Sequence, residues 1–310
     1  MSLLTIILAL VLEQIQPLNE EKAVRAPLAR YVAFLESQFN DGERTHGIIA
    51  WLVGVALPCV LIFIVDGTLD WFNSAASFLL GLAVLYLTTG FRHFSRHFTS
   101  IQLALRMGEL DEARRLIAEW RHRGSDRLGS SEIARLAIEE ALLSSHRHVF
   151  APLFWFVVLG PAGAALYRLS QYFYESWGER ETELGNFGRF AVAAFGWIDW
   201  LPLRFTATAF AVVGDFEDAI YCWRTQAGRW PDASSGILLS SGAGAIGVRL
   251  GAPLAAPVIE ADDLESRPEL GLGEEADADF MQSTIGLVWR SLVLGVLVLS
   301  LLTVASWVGH

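Results

Sequence analysis

Residues 47–65 read Gly47-Ile-Ile-Ala-Trp-Leu-Val-Gly-Val-Ala-Leu-Pro-Cys-Val-Leu-Ile-Phe-Ile-Val65, nineteen positions without a charged side chain. An α-helix rises about 1.5 Å per residue, so this run is long enough to cross a hydrocarbon layer about 30 Å thick. Pro58 removes a backbone donor inside it and predicts a kink. A second uncharged run covers residues 72–91. Between the two lies Asp66-Gly-Thr-Leu-Asp70, which reads as a tight acidic turn, so the runs form a transmembrane hairpin.

Three more apolar runs follow. Residues 149–167 carry Gly160-Pro161 at their middle; residues 190–214 are interrupted by Asp199, Pro202 and Arg204; residues 285–308 hold one charge, Arg290. Residues 2–12 are apolar but too short to cross alone. Reaching residue 18 requires Glu13 to face other protein, which leaves a spanning and a re-entrant reading both open. This segment has no basic start and no small-residue cleavage site, so it reads as a retained helix. The expected fold is all-α: a polytopic bundle of five or six membrane helices with a helical cytoplasmic segment.

Composition agrees. Of 310 residues 53% are hydrophobic and only 18% charged, with a mean hydropathy of +0.40; soluble domains average about 25% charged. The net charge of −11 excludes nucleic acid as a partner, since that needs a basic footprint. Cys59 and Cys222 form neither a metal spacing nor a disulfide framework.

Lys and Arg orient the chain. Residues 92–147 hold ten Arg and residues 19–46 four Lys or Arg, whereas residues 66–71 hold none. The positive-inside rule therefore places 19–46 and 92–148 in the cytoplasm and 66–71 outside. Alternation then puts 170–189 outside, 215–284 inside and the C-terminus outside. The resulting segments are 1–18, an N-terminal membrane helix; 19–46, cytoplasmic; 47–91, the hairpin; 92–148, cytoplasmic helices; 149–214, central membrane helices; 215–284, cytoplasmic with an acidic loop; and 285–310, a C-terminal membrane helix. Within 92–148, Leu103, Leu110, Ala113, Ile117 and Trp120 recur at helical spacing, and Ser125-Asp126 and Ser130-Ser131 offer N-caps. Residues 253–279 are acidic and rich in Ala, Gly and Pro, and read as a mobile loop with little to bury.

The middle of the chain carries specific motifs: Ala151-Pro-Leu-Phe154, Gly160, Tyr167-Arg168, Gly178, Arg180, Gly188, Asp199-Trp-Leu-Pro202-Leu-Arg204, and Ala243-Gly-Ala-Ile-Gly-Val-Arg-Leu-Gly251. Their order and spacing resemble the CobD/CbiB family of adenosylcobinamide-phosphate synthases and the related AmpE family, over residues 120–250. The resemblance implies a membrane scaffold. In the synthase branch it also implies ATP-dependent joining of a corrinoid carboxylate to an aminopropanol phosphate.

Such chemistry needs oxygen donors for metal and phosphate. The synthase pattern Arg-Asp-Thr-Ser is here Arg123-Gly-Ser-Asp126. In the following helix Arg135 and Glu139 match, but the second Glu is Leu143, the Asn is Ser144 and the Asp is Arg147. Asn-Thr-x-Asp has become Gln171-Tyr-Phe-Tyr174. Ala-Arg-x-Asp-Asp-x-x-Asn has become Val192-Ala-Ala-Phe195-Gly-Trp-Ile-Asp199, and the late Ser-Pro-Asn is Ser235-Gly-Ile. These losses favour the AmpE-like branch, which implies an inner-membrane, non-catalytic signalling role linked to β-lactamase induction. A divergent synthase and a lipid- or small-molecule-binding protein are the alternatives.

Glu13, Arg123, Arg135, Glu139, Arg168, Gly178, Arg180, Asp199, Pro202 and Arg204 retain the motifs and are the candidate binding positions. No catalytic residue and no metal ligand is assigned, and ATP and magnesium enter only with the synthase reading. Each candidate has a plainer reading. Asp199 and Arg204 around Pro202 can be an internal ion pair. Arg135 and Glu139 can be an i,i+4 pair on a solvated face, worth about 0.2–0.5 kcal/mol. His93, His97, His122, His146 and His148 lie beside Arg92, Arg96 and Arg147, which favours a cationic collar for lipid headgroups over a metal site. Asp262-Asp263, Glu265 and Glu274-Glu275 read as a solvated charge run. The expected partners are membrane lipid and a protein partner.

Overall fold

The structure is a computed structural model that describes residues 2–16, 21–121, 127–178, 180–254 and 267–308. The N-caps expected at Ser125-Asp126, the candidate Arg123, His122 and the charges at 262–265 lie outside the described residues. The chain is all-α apart from one small sheet, as expected, and divides into two compact units: residues 1–92 with 148–202, and residues 93–147 with 203–310.

The first unit opens with α1 (Ser2–Ile15) and α2 (Ala26–Phe39). At about 1.5 Å per residue, the fourteen residues of α1 reach about 21 Å, short of a bilayer crossing. Next, α3 (Arg44–Trp51) runs through a π turn (Leu52–Ala56) into α4 (Leu57–Phe72). The π turn immediately precedes Pro58, whose missing N–H leaves a carbonyl unpaired in regular α geometry. Together these elements form one helix of 29 residues, long and apolar enough to cross a membrane.

The acidic turn expected at Asp66–Asp70 is instead helical. The reversal falls at Asn73, which is extended (φ −161°, ψ 97°) and whose Oδ1 accepts from Ala75 N at the start of α5 (Ser74–Thr88). Asp66 takes a different part, accepting from Ser77 Oγ at 2.8 Å across the hairpin. An Asn that caps the next helix is a stronger stop than a Gly open on all sides, as Gly67 is.

The third apolar run is not one unbroken helix. Helix α9 (Ala151–Phe173) breaks at Gly160 (φ 64°, ψ −151°), a conformation open to glycine, and Pro161 restarts it. The chain doubles back there: a Cβ added to Gly163 would collide with the carbonyl oxygen of Trp155, eight positions earlier. Residues 151–159 and 161–173 are thus two half-helices, about 14 and 20 Å long, inside a helical stretch, Ser130–Gly178, that is long and apolar enough to cross a membrane.

The break falls inside the run 149–167, which the sequence alone reads as one crossing. Residues of 36–47 and of 180–187 meet in this unit. Arg180 pairs with Glu36 at 2.8 Å, Asn186 N donates to Gly42 O at 3.2 Å, and the Cβ-free face of Gly47 meets the Phe187 backbone. Single cysteines placed at Asp41 and Glu183, in a chain with Cys59 and Cys222 replaced, are expected to react with a membrane-impermeant maleimide from the same face. Labelling from opposite faces would restore the alternating scheme.

The core at this end joins Val32 and Leu35 of α2 and Val55 of the π turn to a chain of edge-on aromatic contacts: Tyr31–Phe173, Phe173–Trp177 and Trp177–Phe187. Phe187 follows the short α10 (Glu181–Leu184). Helix α11 (Arg189–Val213) then passes Pro202 without a break, where the sequence led us to expect an interruption. A buried helix tolerates Pro when neighbouring groups take up the freed carbonyl.

The second unit contains α6 (Phe91–Met107), α7 (Leu110–Arg121), α8 (Ser130–Ser145), α12 (Phe216–Gln226), α13 (Ala233–Ile246) and α14 (Ala278–Val308), together with the end of α11. Phe98, Ile101, Ala113 and Ile117 are buried on α6 and α7; Ala113 and Ile117 lie on the stripe that the spacing predicts, whereas Leu103, expected there too, is 55% exposed. Helix α8 starts one residue earlier than the Ser130-Ser131 signal: Gly129 is the cap, and its N–H donates to Glu132 Oε2 at 2.8 Å. Asp215 and Asp232 cap α12 and α13.

The stretch expected to be a mobile loop contains two short strands. β1 (Val248–Gly251) lies between antiparallel β2 (Glu269–Leu270) and parallel β3 (Glu274–Glu275), with Leu250 opposite Leu270 and Val248 opposite Glu274. Leu270 is fully buried, so this stretch does contribute to a core.

Large apolar side chains remain exposed along the long helices, including Phe63 (62%) on α4 and Leu301 (61%) and Leu302 (62%) on α14. A water-facing surface does not concentrate them so, and the apolar helices fit a membrane protein.

Candidate functional site

The candidate residues gather in two places, one in each unit. In the first unit, the second half of α9 and its continuation, a π turn at Tyr174–Gly178, lie against the beginning of α11. Tyr174 and Phe195 stack there, with ring centroids 4.8 Å apart and planes 23° from parallel. Tyr167 packs on Phe195 at 5.7 Å, and its hydroxyl donates to Asp199 Oδ1 at 2.9 Å. Trp155 Nε1 donates to the Ile198 carbonyl at 3.1 Å, tying the other half of α9 to the same stretch of α11.

The synthase pattern has Asp at the positions of both Tyr174 and Phe195. The fold brings these two positions face to face. Paired carboxylates there would suit a divalent cation, which in the case of magnesium takes six oxygen ligands at about 2.0–2.1 Å. The aromatic pair offers no such donors, and Asp199 already accepts from Tyr167. The residues present at this face do not fit a magnesium-bound nucleotide. Replacing Tyr167 by Phe leaves the buried Asp199 one donor short and is expected to destabilise the protein by about 1–3 kcal/mol. Thermal unfolding in detergent checks this, and the penalty should shrink when Asp199 is also replaced by Asn.

The neighbouring motif residues are largely structural. Arg168 is buried on α9 and donates to Gln171 Oε1 at 3.1 Å; Gln171 donates in turn to Glu175 Oε1 at 2.8 Å, and Glu175 lies 4.0 Å from Arg25. This polar relay leads from the buried guanidinium to the exposed end of the unit. Gly178 permits the π turn to lie on α11, since an added Cβ would sit 2.9 Å from Val192 Cγ2. Arg180 is committed to Glu36 and Glu183. Glu13 is buried on α1 and Pro202 on α11, while Arg204 is half-buried.

The second cluster corrects the solvated-pair reading of Arg135 and Glu139. Glu139 is buried. Its Oε1 accepts from Gly251 N at 2.8 Å, and its Oε2 pairs with Arg267, which is itself nearly buried and lies over the Trp230 ring at 5.4 Å. Arg135 reaches the Pro253 carbonyl at 3.5 Å. Glu139 thus anchors the end of β1 and the start of the β2 strand to α8. The sequence analysis missed Arg267, although it is the one basic residue in the acidic stretch 253–279. A lone cation among acids invites a search for a buried carboxylate partner.

His146 and His97 have partners of other kinds. His146 is buried with Nδ1 2.9 Å from Thr206 Oγ1, and His97 stacks on Trp120. Among the described residues only Asp41, Glu43 and His46 come close enough to share a cation; they are exposed or half-exposed, and His46 Nδ1 is 2.6 Å from Asp41. Cys222 is no nucleophile: burial, with a smaller contribution from Asp218, pushes its thiol up to about 11.

The profile of the CobD/Cbib protein family matches residues 6–288. The chain belongs to the CobD/CbiB family. A relative from Stutzerimonas stutzeri named cobalamin biosynthesis protein CobD is 35% identical over 305 residues, covering 96% of each chain. Proteins of the same name from Chromobacterium violaceum and Brucella suis are 36% identical over 173 residues (56% of this chain, 55% of the relative) and 25% identical over 305 residues (91% and 88%). No solved structure matches. The matched region of this CobD/CbiB-family chain contains both clusters, the one at α9–α11 and the one around Glu139.

Proposed function

We propose that this chain acts in cobalamin biosynthesis at the adenosylcobinamide-phosphate synthase step, handling the corrinoid substrate from a multi-pass position in a bacterial inner membrane. The observation that carries this reading is the collinear similarity to the Stutzerimonas stutzeri cobalamin biosynthesis protein over nearly the whole of both chains. It displaces the AmpE-like signalling role that the lost carboxylates favoured, because the similar proteins carry a biosynthetic name. Arg168 and Asp199 of the first unit serve as the frame of the corrinoid-facing site, and lipid is the surrounding partner.

A second reading, a non-catalytic protein on the same scaffold, is favoured by one specific observation: the Tyr174–Phe195 stack where the synthase pattern has two Asp. The test supplies detergent-purified protein with adenosylcobyric acid, aminopropanol phosphate, ATP and magnesium. Corrinoid that stays with the protein supports the proposed role, and amide product identified by mass assigns the synthase reaction itself. A protein that neither retains nor converts the corrinoid overturns the proposal and leaves the second reading.

A further inference from the structure

The turn between α2 and α3 brings together three side chains of metal-ligating type: Asp41, Glu43 and His46, whose ligand atoms all lie within 4.8 Å of one another. Asn40 closes α2 and Glu43 is the extended residue before α3, so the chain reverses at Gly42 (φ 81°), a conformation that favours glycine. The turn is fixed on both sides. Gly42 N donates to Asn40 Oδ1 at 3.0 Å, and Gly42 O accepts from Asn186 N at 3.2 Å.

Asp41 uses its two oxygens differently. Oδ1 accepts from Glu43 N at 3.0 Å, which orients the carboxylate and leaves Oδ2 facing His46. His46 Nδ1 is shielded from solvent and makes no hydrogen bond among the described residues, although Asp41 Oδ2 stands 2.6 Å away. The contact therefore lies off the donor axis of the ring. Two ligands of one cation meet sideways in this manner, because each aims a lone pair at the metal and not at its neighbour. The Glu43 carboxylate is exposed and has no hydrogen-bond or ion-pair partner among the described residues. Ligand atoms of one zinc stand about 3–3.5 Å apart, so a shift of about 1–2 Å in this flexible side chain closes the set.

We infer that Asp41, Glu43 and His46 bind a divalent transition cation of the zinc class, with water completing the coordination. An imidazole nitrogen beside two carboxylates suits zinc and its neighbours, whereas magnesium and calcium take oxygen ligands. The bond from Glu43 N to Asp41 gives the outer support that holds a ligating carboxylate in place. The bound ion clasps the turn that holds Asn186, and so stabilises the first unit. The inference goes beyond the proposed biosynthetic role and rests on none of its chemistry.

The test uses the full chain in a neutral detergent, freed of any affinity tag and stripped with a chelator, and titrates it with zinc sulfate; magnesium chloride is the control. Calorimetry is expected to show one zinc bound with micromolar affinity, and the melting temperature should rise with zinc and not with magnesium. Cobalt(II) in place of zinc should give visible bands that report the geometry of the site. Asp41→Asn, Glu43→Gln and His46→Gln should each weaken zinc binding by about tenfold or more. All three side chains are exposed or half-exposed, so the metal-free variants should melt with wild type. His97→Gln, a change in the second unit, should leave the affinity in place. Zinc that binds no more tightly than magnesium, or that binds Asp41→Asn and His46→Gln as tightly as wild type, overturns the inference.

Discussion

Replacing Glu139 by Ala should lower the stability of the purified protein by about 3–5 kcal/mol, because it leaves Arg267 nearly buried without its counter-charge and Gly251 N–H without an acceptor. Glu139→Gln should fall between wild type and Ala, since an amide oxygen can still accept from Gly251 while the charge of Arg267 stays uncompensated. The double change Glu139→Leu with Arg267→Met should recover much of the loss, because an apolar pair of similar volume avoids the desolvation penalty altogether. Thermal unfolding followed by circular dichroism would rank the four proteins. A Glu139→Ala variant as stable as wild type would mean that the ion pair does not hold β1 and the 267 segment to α8.

Gly163→Val should have an effect as large. Its Cβ would run into the Trp155 carbonyl at the point where the two halves of α9 pack together, and backbone cannot swing aside as a flexible side chain can. The expected result is loss of monodisperse protein on gel filtration. Gly196→Ala is the control: it lies on α11 with open space around its Cα and should be tolerated. If α9 were instead one continuous helix, residues 155 and 163 would lie about 12 Å apart along the axis, and valine at 163 would be harmless.

The contrast between these glycines shows what could be read from the sequence. Uncharged length located the helices at 44–72, 74–88 and 278–308, since length and apolarity are local properties. Gly160-Pro161 was visible as a break. What it broke into was not, because a Pro kink and a full reversal share the same two residues, and only packing at Gly163 distinguishes them. The contacts of Arg180 with Glu36 and of Asn186 with Gly42 join residues that the alternating scheme puts on opposite faces.

The candidate site divides in the same way. Motif spacing picked out Glu139 and Asp199 as unusual, and both are buried. Their partners Arg267 and Tyr167 arrive from 128 and 32 positions away, separations that no periodicity in the sequence encodes. The pairing of Tyr174 with Phe195 was likewise invisible as a contact, although each substitution was plain when read against the family pattern.

The chain's assignment to the corrinoid pathway is tested most directly by asking whether the purified protein holds a corrinoid. Adenosylcobyric acid is mixed with the full chain in detergent, the mixture is gel-filtered, and the protein peak is read at the corrinoid's visible absorbance. Co-elution in a fixed ratio to protein, reaching a plateau as the corrinoid concentration is raised, is the predicted result. A colourless protein peak at saturating corrinoid, from a sample whose melting curve shows it to be folded, would contradict the account.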